Sequence, residues 1–182
     1  MEQRVVNLIG NLKRRNISGF YAQTRDKAQG IVETIIPKDS NIGISGSKTL
    51  DELGVIALLE ARGNKVFNQF EPGISREQSL EIRNSGARAD YFLTSANAIS
   101  ENGEIVFFSA YGQRTSGIAN AKNVIVVCGL NKITPNLEEA LKRSREYVTP
   151  MNCKRLDWNA ACLSGGICRE EICFAPDYKR MC

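Results

Sequence analysis

The sequence predicts an α/β protein with a largely parallel sheet and a cysteine-rich C-terminal tail. Three observations carry that expectation. Short apolar runs alternate with amphipathic stretches of about a dozen residues, the pattern of strands joined by crossover helices. Helix-capping signals follow several of those runs. Five of the six cysteines, Cys153, Cys162, Cys168, Cys173 and Cys182, fall in the last thirty residues.

Each element is justified in turn. Val5, Leu8, Ile9 and Leu12 recur at helical spacing, giving an amphipathic first helix that ends near Asn16. Ala28, Ile31, Val32 and Ile35 form the stripe of a second helix, stopped by Pro37. Asn41 to Ser45 reads as a short buried strand, and Thr49 with Glu52 as a capping box opening one helix over 50–62. Lys65 to Gln69 is a second strand, and Ser75 with Gln78 caps a helix through about Gly86. Asp90 to Ser95 is a third strand. Glu104 to Ser109 and Asn123 to Cys128 are two more, joined by a glycine-rich link from Tyr111 to Ala121, and this later part leaves room for an antiparallel portion. Asn136 caps a last helix to about Tyr147, and Pro150 closes the regular part. The expected organisation is an α/β domain over 1–150, with N-terminal helices within 1–37, and a tail over 151–182 packed on it or appended to it.

Composition narrows the function. At 182 residues the chain buries one full core. Its 42% hydrophobic and 24% charged residues are those of a soluble globular protein. A formal charge of +4 with scattered Lys and Arg argues against nucleic acid. No apolar run approaches the ~20 residues that span a bilayer. The N-terminus lacks a signal-peptide apolar region, so a cytoplasmic location is expected. There thiols stay reduced, and clustered cysteines read as ligands before disulfides. The chain has no histidine, which removes Ser-His-Asp and Cys-His nucleophile systems, imidazole metal sites and the usual neutral-pH proton shuttle.

Four places remain where chemistry could sit. A strand leading through Gly43-Ile44-Ser45-Gly46-Ser47-Lys48-Thr49 into a helix exposes backbone N–H groups to a small anion, with Ser47, Thr49 and Lys48 as further donors. It is not a Walker A loop, and an ordinary strand-to-helix turn is the bland alternative. Ser95 and Asn97 emerge at another strand end, where open α/β sheets collect ligands. Just beyond, Ser100-Glu101-Asn102-Gly103 matches the nucleophile signature of class I coenzyme A transferases, which nominates Glu101 as a catalytic carboxylate; a plain Asn-Gly turn explains the same residues. Arg114 could fork onto a carboxylate or phosphate, and Asn131 and Lys132 follow the last apolar strand. In the tail, Cys162, Cys168, Cys173 and Cys182, with Cys153 as a fifth, could ligate an iron–sulfur cluster or, less favoured, zinc. The spacing fits no standard ferredoxin or zinc-ribbon run, so unligated thiols stay open as the alternative. Cys128 reads as a core residue.

Taken together, residues from about 4 to 182 resemble the lactate utilization (LUD) domain family in its short single-domain form. The resemblance rests on Gly46-Ser47-Lys48-Thr49-Leu50-Asp51-Glu52-Leu53-Gly54, Ala89-Asp90-Tyr91-Phe92-Leu93-Thr94-Ser95-Ala96-Asn97-Ala98-Ile99, Glu101-Asn102-Gly103-Glu104-Ile105-Val106, Val124 through Ile133, and the cysteine tail. It implies an open Rossmann-like sheet with helices on both faces, as in the ribose-5-phosphate isomerase and coenzyme A transferase group. It also implies a link to oxidation of lactate to pyruvate beside iron–sulfur partner proteins. The link from Phe107 to Gly117 departs from the family's Asp-Gly-x-Gly-Asn-Arg run and keeps only Gly112 and Arg114. The leading expectation is a redox-accessory or small-anion-binding protein using Gly46, Ser47, Lys48, Thr49, Glu52, Ser95, Asn97, Arg114, Asn131 and Lys132. The others are an acyl-transfer enzyme built on Glu101 and a non-catalytic module that binds a partner through its tail; a homo-oligomer fits any of the three.

Overall fold

The computed structural model describes residues 2–182 as a mixed α/β chain that divides into two compact units. One comprises Phe20–Ser95 and Gly112–Gly129; the other comprises the residues up to Gly19, Ala96–Tyr111 and Leu130–Cys182.

The first unit is built on four parallel strands: β1 (Asn41–Ile44), β2 (Lys65–Phe67), β3 (Tyr91–Thr94) and β6 (Asn123–Val126), in the order β2-β1-β3-β6. Ile42 lies opposite Val66 on one side of β1, Gly43 opposite Phe92 on the other, and Phe92 opposite Val124. Its helices are α2 (Arg25–Ile35), α3 (Lys48–Leu53), α4 (Val55–Ala61), α5 (Arg76–Gly86) and α6 (Gln113–Asn120). Val32, Ile36, Ile42, Ile44, Leu50, Leu53, Val55, Leu59 and Leu93 make the core. Each such aliphatic side chain contributes about 1.5–3 kcal/mol when fully buried.

Polar ties close the ends of this core. Arg62 donates to the carbonyls of Glu33 (2.8 Å) and Ile36 (2.7 Å), satisfying acceptors that the end of α2 leaves without helical partners. Asn64 holds Arg62 through its Oδ1 and donates to the carbonyls of Pro37 and Ser40. At the sheet's other connections two glycines set close approaches. A Cβ on Gly43 would meet the Gly86 carbonyl oxygen at 1.9 Å, so α5 rides directly on β1; one on Gly117 would meet the Phe92 ring at 2.2 Å, so α6 rides directly on β3.

The second unit carries a three-stranded sheet, β5 (Ile105–Val106), β4 (Ala98–Ser100) and β7 (Ile133–Thr134), in that order. β4 pairs antiparallel with β5 and parallel with β7. Leu8 and Leu12 of α1 (Gln3–Arg14) pack with Ile99, Ile105 and Ile133. α7 (Leu137–Lys142) runs through a π-helical stretch, Arg143–Val148, into α8 (Thr149–Arg155), and irregular chain with one 3-10 turn at Glu170–Ile172 completes the unit.

Several local expectations are corrected. The helix expected over 50–62 is two helices, because Gly54 adopts φ 70° and ends α3 in a left-handed C-cap. The cap of α3 is Ser47, whose side chain accepts from the Leu50 N–H (3.3 Å); α3 already includes Thr49, so Thr49 and Glu52 cannot form the capping box. The glycine-rich link holds helix α6, stabilised by its packing on Phe92 in spite of weak intrinsic propensity. Pro150 does not end the regular structure: it sits in the first turn of α8, where no N–H is needed. The Ser75–Gln78 capping box is present in full; of the two later strands expected, the first is antiparallel, β5 pairing with β4, whereas the second, β6, joins the parallel sheet beside β3.

Candidate functional site

In the parallel sheet the chain leaves β1 toward β2 and leaves β3 toward β6, so the connections diverge between neighbouring strands β1 and β3. Such a switch point opens a crevice at the carboxyl ends of the strands. The segment after β1 and the end of β3 are joined there. The Ser45 N–H donates to the Leu93 carbonyl (3.1 Å), the Ser45 and Thr94 hydroxyls share a hydrogen bond of 2.7 Å, and the Ser95 hydroxyl donates to Thr49 Oγ1 at 3.5 Å. Ser45, Thr94 and Ser95 are buried, whereas Thr49 is half-buried and Gly46 is exposed. Buried hydroxyls on short strand ends need partners, and here they find them in each other.

Arg114, in the first turn of α6, reaches the same place and donates from Nη2 to the Gly46 carbonyl (3.1 Å). The guanidinium is half-buried, and burial pulls its pKa below the ordinary arginine value, with the nearby Cys128 thiol opposing that shift. A cation in poorly hydrated surroundings gains more from an anionic partner than a solvated one does. Gly117 lies three residues on along the same helical face, so its contact with Phe92 holds α6, and with it Arg114, against the sheet.

The structure thus brings Gly46, Ser47, Thr49, Ser95 and Arg114 together within one unit, while Lys48 and Glu52 lie exposed on α3. Three participants were not foreseen. Gln69 donates to the Ile44 carbonyl (3.0 Å), Phe70 lies over Gly46 where a Cβ would meet its ring at 2.9 Å, and Cys128 lies near Arg114. Gln69 and Phe70 follow β2 and Cys128 follows β6; a strand's far end has no local signal naming which loop it will face.

Asn97, Asn131 and Lys132 belong to the other unit. Asn97 Oδ1 accepts from the Phe108 N–H (3.0 Å), Lys132 Nζ donates to the Ala96 carbonyl (3.1 Å), and Arg143 donates to the carbonyls of Asn97 (3.0 Å) and Asn131 (3.2 Å). Glu101 sits in the β4–β5 turn. Its N–H donates to the Thr134 carbonyl (2.8 Å), and its carbonyl accepts from Asn11 Nδ2 (2.8 Å). Ser100 Oγ accepts from the Asn102 N–H (3.1 Å) and bonds the Glu104 carboxylate, while Gly103 takes φ 92°. Turn geometry therefore accounts for Ser100, Asn102 and Gly103.

The tail cysteines are free thiols. Cys153, Cys162 and Cys173 are buried with Ala160 and Ala161 in a small core edged by Trp158, Tyr178 and Met181. Burial, the Cys162 thiol hydrogen bond and the neighbouring thiols push Cys153 up to about 12, and burial likewise raises Cys168. The indole of Trp158 donates to the Lys179 carbonyl (2.7 Å), and Arg145 and Arg180 both grip Glu170 (3.1 Å each). Among the described residues, no three Cys, Asp, Glu or His side chains stand gathered to hold a metal ion. No helix among them is long and apolar enough to cross a membrane.

Compared with known protein families, residues 6–174 match the family model described as the LUD domain. No curated protein and no solved structure matches the chain.

Proposed function

The chain belongs to the LUD domain family, which is associated with lactate utilization, and from that premise we propose that it binds a small carboxylate or phosphate at the ends of β1 and β3. In this reading it serves lactate-type metabolism, the oxidation of lactate to pyruvate, as an anion-binding or redox-accessory protein beside an iron–sulfur partner. A likeness to the ribose-5-phosphate isomerase and coenzyme A transferase fold is part of the same proposal, supported by the parallel order β2-β1-β3-β6.

The observation that carries the reading is the Arg114 guanidinium held to the Gly46 carbonyl beside the hydroxyls of Thr49 and Ser95. A guanidinium offers a planar fork of donors that matches a carboxylate or phosphate edge, and one of its arms is fixed by the protein. Lactate and pyruvate each carry one carboxylate and a neighbouring oxygen; Arg114 would take the first and the Thr49 or Ser95 hydroxyl the second. Asn97, Asn131 and Lys132 lie in the other unit and are left out of this reading. The alternative, acyl transfer through Glu101, uses a carboxylate of the β4–β5 turn and predicts a different ligand class.

Thermal unfolding with lactate, pyruvate, phosphate and acetyl-coenzyme A decides between them. A ligand present at a hundred times its Kd stabilises by about 2.7 kcal/mol. We expect a concentration-dependent rise in Tm with a small anion that Arg114→Lys largely removes. No response to any small anion, or an undiminished response in Arg114→Lys, defeats the reading. A response to acetyl-coenzyme A alone, with an acyl adduct on Glu101 by mass, replaces it with the transferase alternative.

A further inference from the structure

We infer that the unit carrying the tail holds a binding site of its own for an aromatic carboxylate, with the flat ring in an aromatic corner and the acid group at Lys179. A cavity of about 360 Å³ is walled by Tyr111, Trp158, Phe174 and Tyr178, with Lys179 and Arg180 in the same lining. That volume lies at the low end of the ~300–1,000 Å³ of small-molecule sites, which suits a compact ligand rather than a dinucleotide. All six residues belong to one compact unit, and Arg114 belongs to the other. The inference therefore rests on nothing proposed for Arg114.

Four rings around one cavity need a reason, because two of them are left largely to water. Tyr111 is 62% exposed and Phe174 58% exposed, so folding gains little from either. Apolar ring surface held open beside a cavity marks a contact for something outside the fold. The Tyr111 and Trp158 rings stand 5.2 Å apart at 78°, which makes a corner. A third ring set there meets aromatic faces and edges in the offset and perpendicular arrangements that ring quadrupoles favour. The indole N–H of Trp158 is taken up by the Lys179 carbonyl (2.7 Å). That bond fixes the ring and leaves its apolar surface as what it can offer a ligand.

Charge decides the sign of the ligand. Aromatic walls alone would also suit a quaternary ammonium, but the described lining holds Lys179 and Arg180 and no carboxylate. Arg180 is engaged by Glu170 (3.1 Å) and by Cys182, so its charge is already offset. Lys179 takes part in none of the ion pairs among the described residues. Its backbone is held on both sides: the N–H donates to the Asn159 carbonyl (2.7 Å) and the carbonyl accepts from Trp158. The ammonium thus springs from a fixed point beside the rings and can close on a carboxylate whose ring lies in the corner. The preceding loop is tied as well, Tyr178 N–H to the Phe174 carbonyl (3.0 Å) and Asn159 Nδ2 to the Asp177 carbonyl (3.1 Å). Walls held in place before a ligand arrives spare it the entropy of ordering them.

Trp158 is the only tryptophan of the chain, so its fluorescence reads this cavity directly in the full-length protein. The probes are 3-phenylpropanoate, its ring-saturated analogue 3-cyclohexylpropanoate, and 2-phenylethylamine, which keeps the ring and reverses the charge. We expect a saturable change in Trp158 emission with 3-phenylpropanoate, and weaker binding of both other probes. Tyr111→Leu should weaken 3-phenylpropanoate about fivefold, and Lys179→Glu about tenfold. Both residues are exposed, so the fold survives either change. No saturable change with 3-phenylpropanoate overturns the proposal. So does equal binding of the cyclohexyl analogue, tighter binding of the amine, or undiminished affinity in both variants. Emission that shifts with protein concentration alone gives the aromatic face to a second copy of the chain and overturns it as well. Anion binding at Arg114 is read by a different assay, so the two proposals stand or fall separately.

Discussion

Asp90 is the carboxylate at which three chain segments of the parallel-sheet unit meet. Its side chain accepts from the Asn41 N–H (3.1 Å) and from Lys122 Nζ (2.6 Å), and its own N–H donates to Asn41 Oδ1 (2.8 Å). The Lys122 hydrogen bond, then the Asn41 N–H, hold the Asp90 carboxyl below its ordinary value. The unfolded chain therefore binds the proton first, and stability rises with pH in that range. The contribution is whole above the unfolded value of about 4 and is lost as pH falls through the lower folded one. Denaturant midpoints measured from pH 2 to 7 should fall on the acid side, and Asp90→Asn should flatten that fall without abolishing it, since Glu104 and Glu77 are depressed as well. An unchanged acid slope in Asp90→Asn would remove Asp90 from the account. At this scale the sequence was informative where a residue's chemistry is its own: Arg114, Thr49 and Ser95 could be named in advance. Asp90, Gln69 and Cys128 could not, because each matters only through a partner dozens of residues away.

Elements are positioned by what their smallest residues permit, and three glycines separate the cases. Gly30 lies inside α2 with nothing within 4 Å of an added Cβ. Gly30→Ala should stabilise the protein by about 0.5–1 kcal/mol, because alanine loses less backbone entropy in a helix. Gly117→Ala drives a methyl into the Phe92 ring and should cost about 1–3 kcal/mol as overpacking. It should also weaken anion binding, because α6 carries Arg114. Gly43→Ala meets backbone, the Gly86 carbonyl oxygen, which cannot rotate away, and should be the most damaging of the three. Denaturant titration ranks them, and Gly43→Ala at wild-type stability would contradict the close approach of α5. The same residues explain which elements could be read. The helices with a full apolar stripe, α1 and α2, were legible from periodicity. α6 was not, because its Gly117, which depresses propensity, is there to admit Phe92. The break at Gly54 turns on a left-handed φ that a glycine allows without announcing.

The whole chain passes between its two units at four points, so each unit is assembled from segments far apart in sequence. That is why the α/β class was readable from alternation while the second sheet was not. β4, β5 and β7 have three, two and two residues, too few for a period to declare itself, and their pairing is nonlocal. The division has a consequence for the tail. The core of the parallel sheet is drawn from residues between Val32 and Leu93, with Ile125 and Val127 packed against it, and includes no residue of the cysteine region. The small core of Ala160, Ala161, Cys162 and Cys173, by contrast, lies almost entirely beyond α8. Removing residues 157–182 should therefore leave amide protection in β1 and β3 within about tenfold of the full chain, while protection in α8 collapses because Cys153 loses its neighbours. Hydrogen exchange on the shortened protein reads both at once. Equal loss in β1, β3 and α8 would mean that the chain unfolds as one cooperative body and that the tail stabilises the parallel sheet as much as its own core.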